Sequence, residues 1–199
     1  MPLLAFAETF PGRACFRSAP VARVVIMSYG GDFGPPPKTA LGFVSVKSLP
    51  NPPAALRRHN GTNEDLRRFV VESPGAAAKI EQVVATFRAL LEAAFARRVE
   101  RERAVLCLFW CLRQTLRDRA CCLAVCDALF ASEKEEEEEL LLCVGCVAGQ
   151  HRSVSVAEHL VRTGALANVS RLWPFSVEAR HRELQGRPGK PAARDKRRR

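Results

Sequence analysis

The sequence predicts an α/β fold: one compact domain with a small mixed β-sheet flanked by helices, plus a helical and acidic insertion and a basic tail. Three observations lead there. Val21–Met27 (VARVVIM) is β-branched and apolar and stops at Ser28-Tyr29-Gly30-Gly31, as a buried strand entering a glycine-rich turn does. Ile80, Val83, Val84, Phe87, Leu90, Leu91, Ala94 and Phe95 recur at helical spacing. Leu140–Val144 is an apolar run with no polar face, which suits a central strand covered on both sides. Helix and strand signals interleave, and no internal repeat is visible.

Residues 1–20 form an N-terminal extension. They lack the basic segment that precedes the apolar stretch of a secretory signal. Arg13 and Arg17, with Glu8 the single acid, make a thin organellar-targeting pattern. After the first strand, Gly34-Pro35-Pro36-Pro37 cannot continue regular structure. Leu41–Ser48 alternates enough at Phe43, Val44 and Val46 to be a second strand, halted by Leu49-Pro50-Asn51-Pro52-Pro53. Thr62-x-x-Asp65 resembles a capping box opening a short helix with Leu66, Phe69 and Val70 on one face. Ser73-Pro74 then supplies an N-cap and a proline at the first position of the long amphipathic helix. Helical patterning continues from about Arg97 to Ala131, denser in Arg and Cys, and Glu133–Glu139 is a solvated acidic loop. Beyond the Leu140–Val144 strand and its glycine-containing loop, Ser153–Val161 reads as a helix and Phe175–Arg180 as a last short strand.

The 199 residues fit one ordinary domain. With 47% apolar and 26% charged residues, global disorder is excluded. The tail Gly186–Arg199 contributes +6 and the acidic run −5, so the remaining body carries +9 of the net +10. A basic body favours a polyanionic or phosphate-bearing partner. The longest apolar runs, Ala104–Leu112 and Leu140–Gly149, fall far short of the roughly 20 residues of a membrane span. The eight cysteines (15, 107, 111, 121, 122, 126, 143 and 146), with no export signal, read as reduced thiols of an intracellular protein, cytoplasmic or nuclear. Cys143 and Cys146 with 107/111 or 121/126 outline a zinc site. Those helical cysteines sit in Leu-rich sequence, where Cys packs as a small hydrophobe, so neither a metal nor another cofactor is expected. No Walker A or dinucleotide fingerprint occurs, which excludes a P-loop nucleotide hydrolase.

One stretch carries chemistry: Gly145-Cys146-Val147-Ala148-Gly149-Gln150-His151-Arg152-Ser153. It follows a buried strand and precedes a helix, so its amides should gather at a helix N-terminus, where phosphate is held by unpaired N–H groups and the helix dipole. Gly149 permits close backbone approach, Arg152 is a planar bidentate donor, and His151 can add a cation. A Cys146 thiolate facing those donors would have a lowered pKa. The spacing C-x-x-G-x-x-R-S also matches the phosphate loop of cysteine-dependent phosphatases, with Cys146 as nucleophile and Arg152 as clamp. That reading needs a general acid, for which Asp32, Asp65 and Asp127 are the candidates. His59 and His159 read as loop and helix-face residues without an inferable partner.

Gly145–Val154, followed by Ala157-Glu158, resembles the G-C-T-G-G-[QK]-H-R-S-V-x-x-A-E motif of the C-terminal domain of the RapZ (YvcJ-like) RNase adaptor family. Ser28-Tyr29-Gly30, Leu49-Pro50-Asn51-Pro52 and Arg180-His181-Arg182-Glu183-Leu184 fall in the family's order, and Arg57 and Gly61 also fit. The resemblance covers about residues 21–96 and 140–185. It makes 97–139 an insertion in a domain of residues 21–185, followed by a disordered basic tail at 186–199. Full-length bacterial members also carry an N-terminal P-loop domain, which this sequence does not show. The resemblance implies a non-catalytic adaptor that binds small regulatory RNA on behalf of an endoribonuclease and senses the sugar phosphate glucosamine-6-phosphate.

The implied ligand residues are Cys146, Gly149, His151, Arg152, Ser153, Lys47 and Asn51, and the implied nucleic-acid residues are Arg152, Lys47, Arg180 and Arg182. The chain departs from the family pattern at Ser45, where an acid is usual, at Lys47, where Arg is usual, and at Asn63 and Pro53, where Asp and His are usual. An acid for sugar hydroxyls or an ammonium is thus missing, which bears on amino-sugar specificity more than on anion binding. Sparse aromatics, at 7%, do not indicate a stacking platform for single strands, so backbone contact and shape would dominate RNA recognition. A scaffold with an idle pocket is a third reading.

Overall fold

The computed structural model describes residues 22–115, 139–167, 169 and 175–184. Its elements are strand β1 (Ala22–Gly30), a 3-10 turn (Gly31–Phe33), β2 (Gly42–Ser45), helix α1 (Glu64–Glu72), α2 (Ala76–Thr115), β3 (Glu139–Cys146), α3 (Arg152–Arg162) and β4 (Phe175–His181). The strands form one sheet in the order β2-β3-β1-β4. The α/β class is the expected one. The sheet is parallel in all three pairings rather than mixed, with helices carrying the crossovers from β2 to β3 and from β3 to β4.

Strands β1 and β3 are the inner pair, and both are buried nearly throughout because the sheet is covered on each face. Side chains alternate along them. Val24, Ile26, Leu140, Leu142, Val144 and Cys146 face the helices and pack on Leu66 and Val70 of α1, Phe87 and Leu91 of α2, and Val156, Ala157 and Leu160 of α3. Val25, Tyr29, Leu141 and Cys143 form a second cluster on the opposite face. In α2 the stripe Val83, Phe87, Leu91 and Phe95 is buried as its spacing predicts, and the Phe95 ring meets Phe175 of β4 with centroids 5.5 Å apart.

Two helix starts differ from the sequence expectation. Asn63, not Thr62, caps α1: its extended backbone lets Oδ1 accept the Leu66 N–H at 3.2 Å, while the Thr62 hydroxyl donates to Asn60. Ser73 ends α1, donating its hydroxyl to the Val70 carbonyl at 2.8 Å. Helix α2 opens only at Ala76, after Gly75 has reversed the chain at φ +78. Helix α2 reaches Thr115, and Glu139 opens β3 rather than closing a loop. The remainder of the 97–131 helical stretch, residues 133–138 of the acidic run, the N-terminal extension and the basic tail lie outside the described residues. Among the described residues, no helix is long and apolar enough to cross a membrane.

Candidate anion-binding site

The sheet's carboxyl edge is where an open α/β sheet places a ligand crevice. There β3 ends on Cys146, a loop runs to His151, and α3 begins at Arg152. Cys146 is 3% exposed, and its sulfur is the hub of the loop: Sγ accepts the Gly149 N–H at 3.2 Å and lies 3.2 Å from Ser153 Oγ. Gly149 adopts φ +69, and a Cβ there would collide with the Gly30 backbone. Gly30 in turn admits the Ala148 carbonyl group, which would stand 2.7 Å from any Cβ placed on it. The ends of β1 and the loop are therefore pressed together, backbone on backbone. His151 occupies the N-cap of α3 without a side-chain cap bond. Its Nε2 is instead 3.2 Å from the Arg57 carbonyl.

Arg152, 8% exposed, is tied to the segment after β2. Its Nη1 donates to the carbonyls of Lys47 at 2.7 Å and Leu49 at 2.8 Å. Those two bonds hold the start of the Leu49-Pro50-Asn51-Pro52 turn against the loop, and Arg57 Nε closes the far side on the Pro52 carbonyl at 2.7 Å. Between them is a cavity of about 260 Å³ lined by Asn51, Pro52, Arg57, Cys146, Val147, Ala148, His151 and Arg152. Two guanidinium groups and an imidazole border it with no carboxylate in the lining, an arrangement suited to an anion.

Of the expected ligand residues, Cys146, His151, Arg152 and Asn51 line this cavity. Gly149 and Ser153 act behind it, through the cysteine sulfur. The Lys47 ammonium stands beside the strand ends: a Cβ built on Gly31 would lie 3.4 Å from Nζ and 3.5 Å from the Cys146 carbonyl. Arg180 and Arg182 are placed elsewhere. Arg180 forms two hydrogen bonds to Glu139, at 3.0 and 3.1 Å, and one to Glu178 at 2.8 Å. The Glu139 bonds, with Glu178 adding to them, hold its pKa above the ordinary arginine value. Arg182 donates to the carbonyls of Pro35, Gly30 and Gly34 and to Glu183, with its guanidinium carbon 5.3 Å from the centre of the Tyr29 ring.

Sequence reasoning named Arg57 only within the family pattern and did not place it in the site. It missed a hydrogen-bonded chain entirely: His181 Nδ1 is 2.9 Å from Ser28 Oγ, and its Nε2 is 2.9 Å from Glu158 Oε1. All three residues lie in the motifs that carried the resemblance, which was the available signal. Ser28 is fully buried, so the chain joins β1, β4 and α3 rather than facing a ligand. The zinc outline dissolves for a geometric reason. Cys143 and Cys146, three apart on a strand, face opposite sides of the sheet, and burial pushes the Cys143 thiol up to about 11. Of the phosphatase's candidate acids, Asp32 has its N–H on the Val147 carbonyl at 3.1 Å, Asp65 lies in the first turn of α1, and Asp127 is outside the described residues.

A profile of the RapZ C-terminal domain matches residues 22–113 and 112–185, two stretches that meet inside the 97–139 segment. Among curated proteins, the chain is similar to a nucleotide-binding protein of Salinispora arenicola, 30% identical over 141 residues, which are 69% of this chain and 34% of that protein. A nucleotide-binding protein of Salinispora tropica is 29% identical over 165 residues, 81% of this chain and 39% of that protein. One of Lactobacillus acidophilus reaches 43% over a shorter stretch of 51 residues, 26% of this chain and 15% of that protein. The chain thus spans only about a third to two fifths of the length of the Salinispora relatives. With the profile running through β1, the Cys146–Arg152 loop and β4, the chain belongs to the RapZ C-terminal domain family.

Proposed function

We propose that this domain is a non-catalytic binding module for phosphate-bearing ligands, either RNA phosphates or a small phosphorylated metabolite of the sugar-phosphate kind, acting as an adaptor inside the cell. The observation that supports it is the convergence of Arg57, His151 and Arg152 on a cavity whose floor is the Cys146 loop at the start of α3. Cys146, Lys47 and Asn51 complete the ligand set, with Gly149 and Ser153 supporting it from behind through the Cys146 sulfur. For RNA, Lys47 and Arg152 are the first contacts. Arg180 and Arg182 contribute only where a phosphate competes with the carboxylates and carbonyls they now hold. An endoribonuclease or another protein is the partner that an adaptor role supplies. The domain keeps the limits 21–185, with 97–139 as the insertion.

The test is filter binding of a structured RNA to the chain and to Lys47→Gln and Arg57→Gln variants, at low and raised salt, with and without residues 186–199. The expected result is binding that survives loss of the tail, weakens steeply with salt and falls in both variants. Absence of binding by the tail-less form removes the RNA arm and leaves the small ligand.

A second reading is favoured by the sulfur contacts of Cys146. In it the thiolate attacks phosphorus, the ester P–O bond breaks, the departing oxygen takes a proton from an acid, and water hydrolyses the phosphocysteine. Asp32 is the acid whose backbone adjoins the loop. Release of inorganic phosphate from an aryl phosphate, abolished in Cys146→Ser, would establish it, and no release from the wild type rejects it.

A further inference from the structure

Resting on the anion-binding reading, we infer that the cavity takes a terminal phosphomonoester, held with one proton at His151 Nδ1, and not the internal phosphodiester of an RNA chain. An RNA then engages the cavity only by a phosphorylated end, where its chemistry is that of a small phosphorylated metabolite.

The proton follows from one hydrogen bond. His151 Nε2 lies 3.2 Å from the Arg57 carbonyl oxygen. A carbonyl oxygen can only accept, so Nε2 carries the hydrogen. Nδ1 is the ring nitrogen left for a ligand. In the neutral ring it holds a lone pair, which repels the oxygen of an anion, and in the imidazolium it is a donor. The helix does not compete for it, because His151 sits at the N-cap of α3 without a side-chain cap bond. An anion oxygen therefore pairs with Nδ1 only when one proton lies between them, supplied by the ring or by the ligand.

Charge and the shape of the wall then select the monoester. Among the described residues, the titratable and charged groups that share the lining with His151 are Arg57 on the segment after β2, Cys146 at the end of β3, and Arg152 on α3. Helix α1 contributes none, and the Lys47 ammonium stands outside the lining, beside Gly31. Each guanidinium is oriented by backbone carbonyls through one nitrogen, Arg57 through Nε and Arg152 through Nη1. With the ring protonated, the lining presents three cationic groups and no carboxylate. A phosphomonoester near neutral pH carries up to two negative charges on three oxygens and takes a proton of its own at about 6. It can match the three groups and share a proton with Nδ1. A diester has one charge on two free oxygens and stays unprotonated. Its second ester arm also needs a way out, and the wall from Lys47 to Arg57 is tied at both ends. Arg152 holds the Lys47 and Leu49 carbonyls, and His151 holds that of Arg57.

The test is titration calorimetry of the full chain at constant ionic strength with methyl phosphate, dimethyl phosphate and sulfate. Methyl phosphate is expected to bind about tenfold more tightly than dimethyl phosphate, the effect of one further hydrogen bond between charged groups. Sulfate brings no proton and keeps its charge, so its affinity should rise several-fold as pH falls from about 8 to about 6. His151→Gln retains an N–H for the Arg57 carbonyl but no titratable nitrogen, and should flatten that rise. His151→Asn repeats the measurement should the first variant fail to fold. Short RNAs alike except for a 5′-phosphate or 5′-hydroxyl separate the sources of the monoester. Displacement of methyl phosphate by the phosphorylated form alone marks an RNA end, and displacement by neither marks a free metabolite. Equal affinity for the two methyl esters, displacement by the 5′-hydroxyl RNA, or a sulfate affinity indifferent to pH overturns the inference while the anion site stands. If none of the three anions binds, the anion site itself falls and the inference with it.

Discussion

Arg152 holds Lys47 through the main chain, not the side chain. Its Nη1 donates to the Lys47 carbonyl at 2.7 Å and to the Leu49 carbonyl at 2.8 Å, while the residue still lines the cavity. One buried guanidinium therefore shapes the site as well as charging it, and the two basic residues are separable by experiment. Arg152→Ala leaves both carbonyls short of a donor and should cost about 2–4 kcal/mol of stability in urea unfolding. Lys47→Gln should change stability by no more than about 0.5 kcal/mol and still weaken anion binding. Equal destabilisation by the two would remove the distinction.

Gly149→Ala should be among the costlier loop changes. The residue needs φ +69, and its new methyl would meet the Gly30 backbone on one side and Glu183 Cγ, at 2.7 Å, on the other. Backbone cannot move aside as a side-chain tip can. A loss of about 2 kcal/mol or more is expected in the unfolding midpoint, with anion affinity falling as the amide that contacts Cys146 shifts. A thermally unchanged variant would show that the loop is free to open.

His181→Ala should destabilise by about 2–3 kcal/mol, because it strands a fully buried Ser28 hydroxyl and leaves Glu158 without its imidazole partner. Ser28→Ala alone should cost about 1 kcal/mol. Combining the two should cost less than their sum, since both remove the same hydrogen bond, and strict additivity in the double-mutant cycle would deny the coupling.

Alkaline titration should report Cys143. Burial raises its folded pKa to about 11 from an ordinary 9.0, so the folded state holds the thiol proton more tightly than the unfolded chain. That contribution is whole below about 9 and is lost as pH rises towards about 11. Cys143→Val should flatten the fall in stability across this window, leaving the share due to Tyr29, whose pKa burial also raises. An unaltered pH profile in the variant would contradict the assignment.

Acid titration probes the interface of α1 and α3. Burial, and then the Arg67 charge, lowers the pKa of His159 below its ordinary 6.5. Its folded state resists protonation, so its contribution is present above about 6.5 and is lost as pH falls through the lowered value. His159→Gln should make stability less sensitive to acid below that point. A steeper acid loss in the variant would reverse the sign.

Local chemistry was enough to read the strand–loop–helix around Cys146 and the apolar stripe of α2. Burial on both faces makes β1 and β3 nearly continuous apolar runs, and a helix packed on a sheet shows its contact stripe at 3.6-residue spacing. Helix starts were legible only to within one or two residues. Thr62 and Asn63 are both capping types, and only the backbone at Asn63 selects it. The sequence by itself thus determined the α/β class, the family, and the strand–loop–helix order around Cys146.

Tertiary structure alone decided how the cations are spent. Along the chain, Arg57, Arg152, Arg180 and Arg182 are equivalent charges. The fold gives Arg180 to Glu139 and Glu178, gives Arg182 to three carbonyls and Glu183, and leaves Arg57 and Arg152 on the cavity. It likewise joined His151 to Arg57 across 94 residues and Ser28 to His181 across 153. Periodicity and motif spacing report contacts within one element. The allocation of donors to acceptors depends on strand order and register, which bring distant segments together only once the parallel sheet has formed.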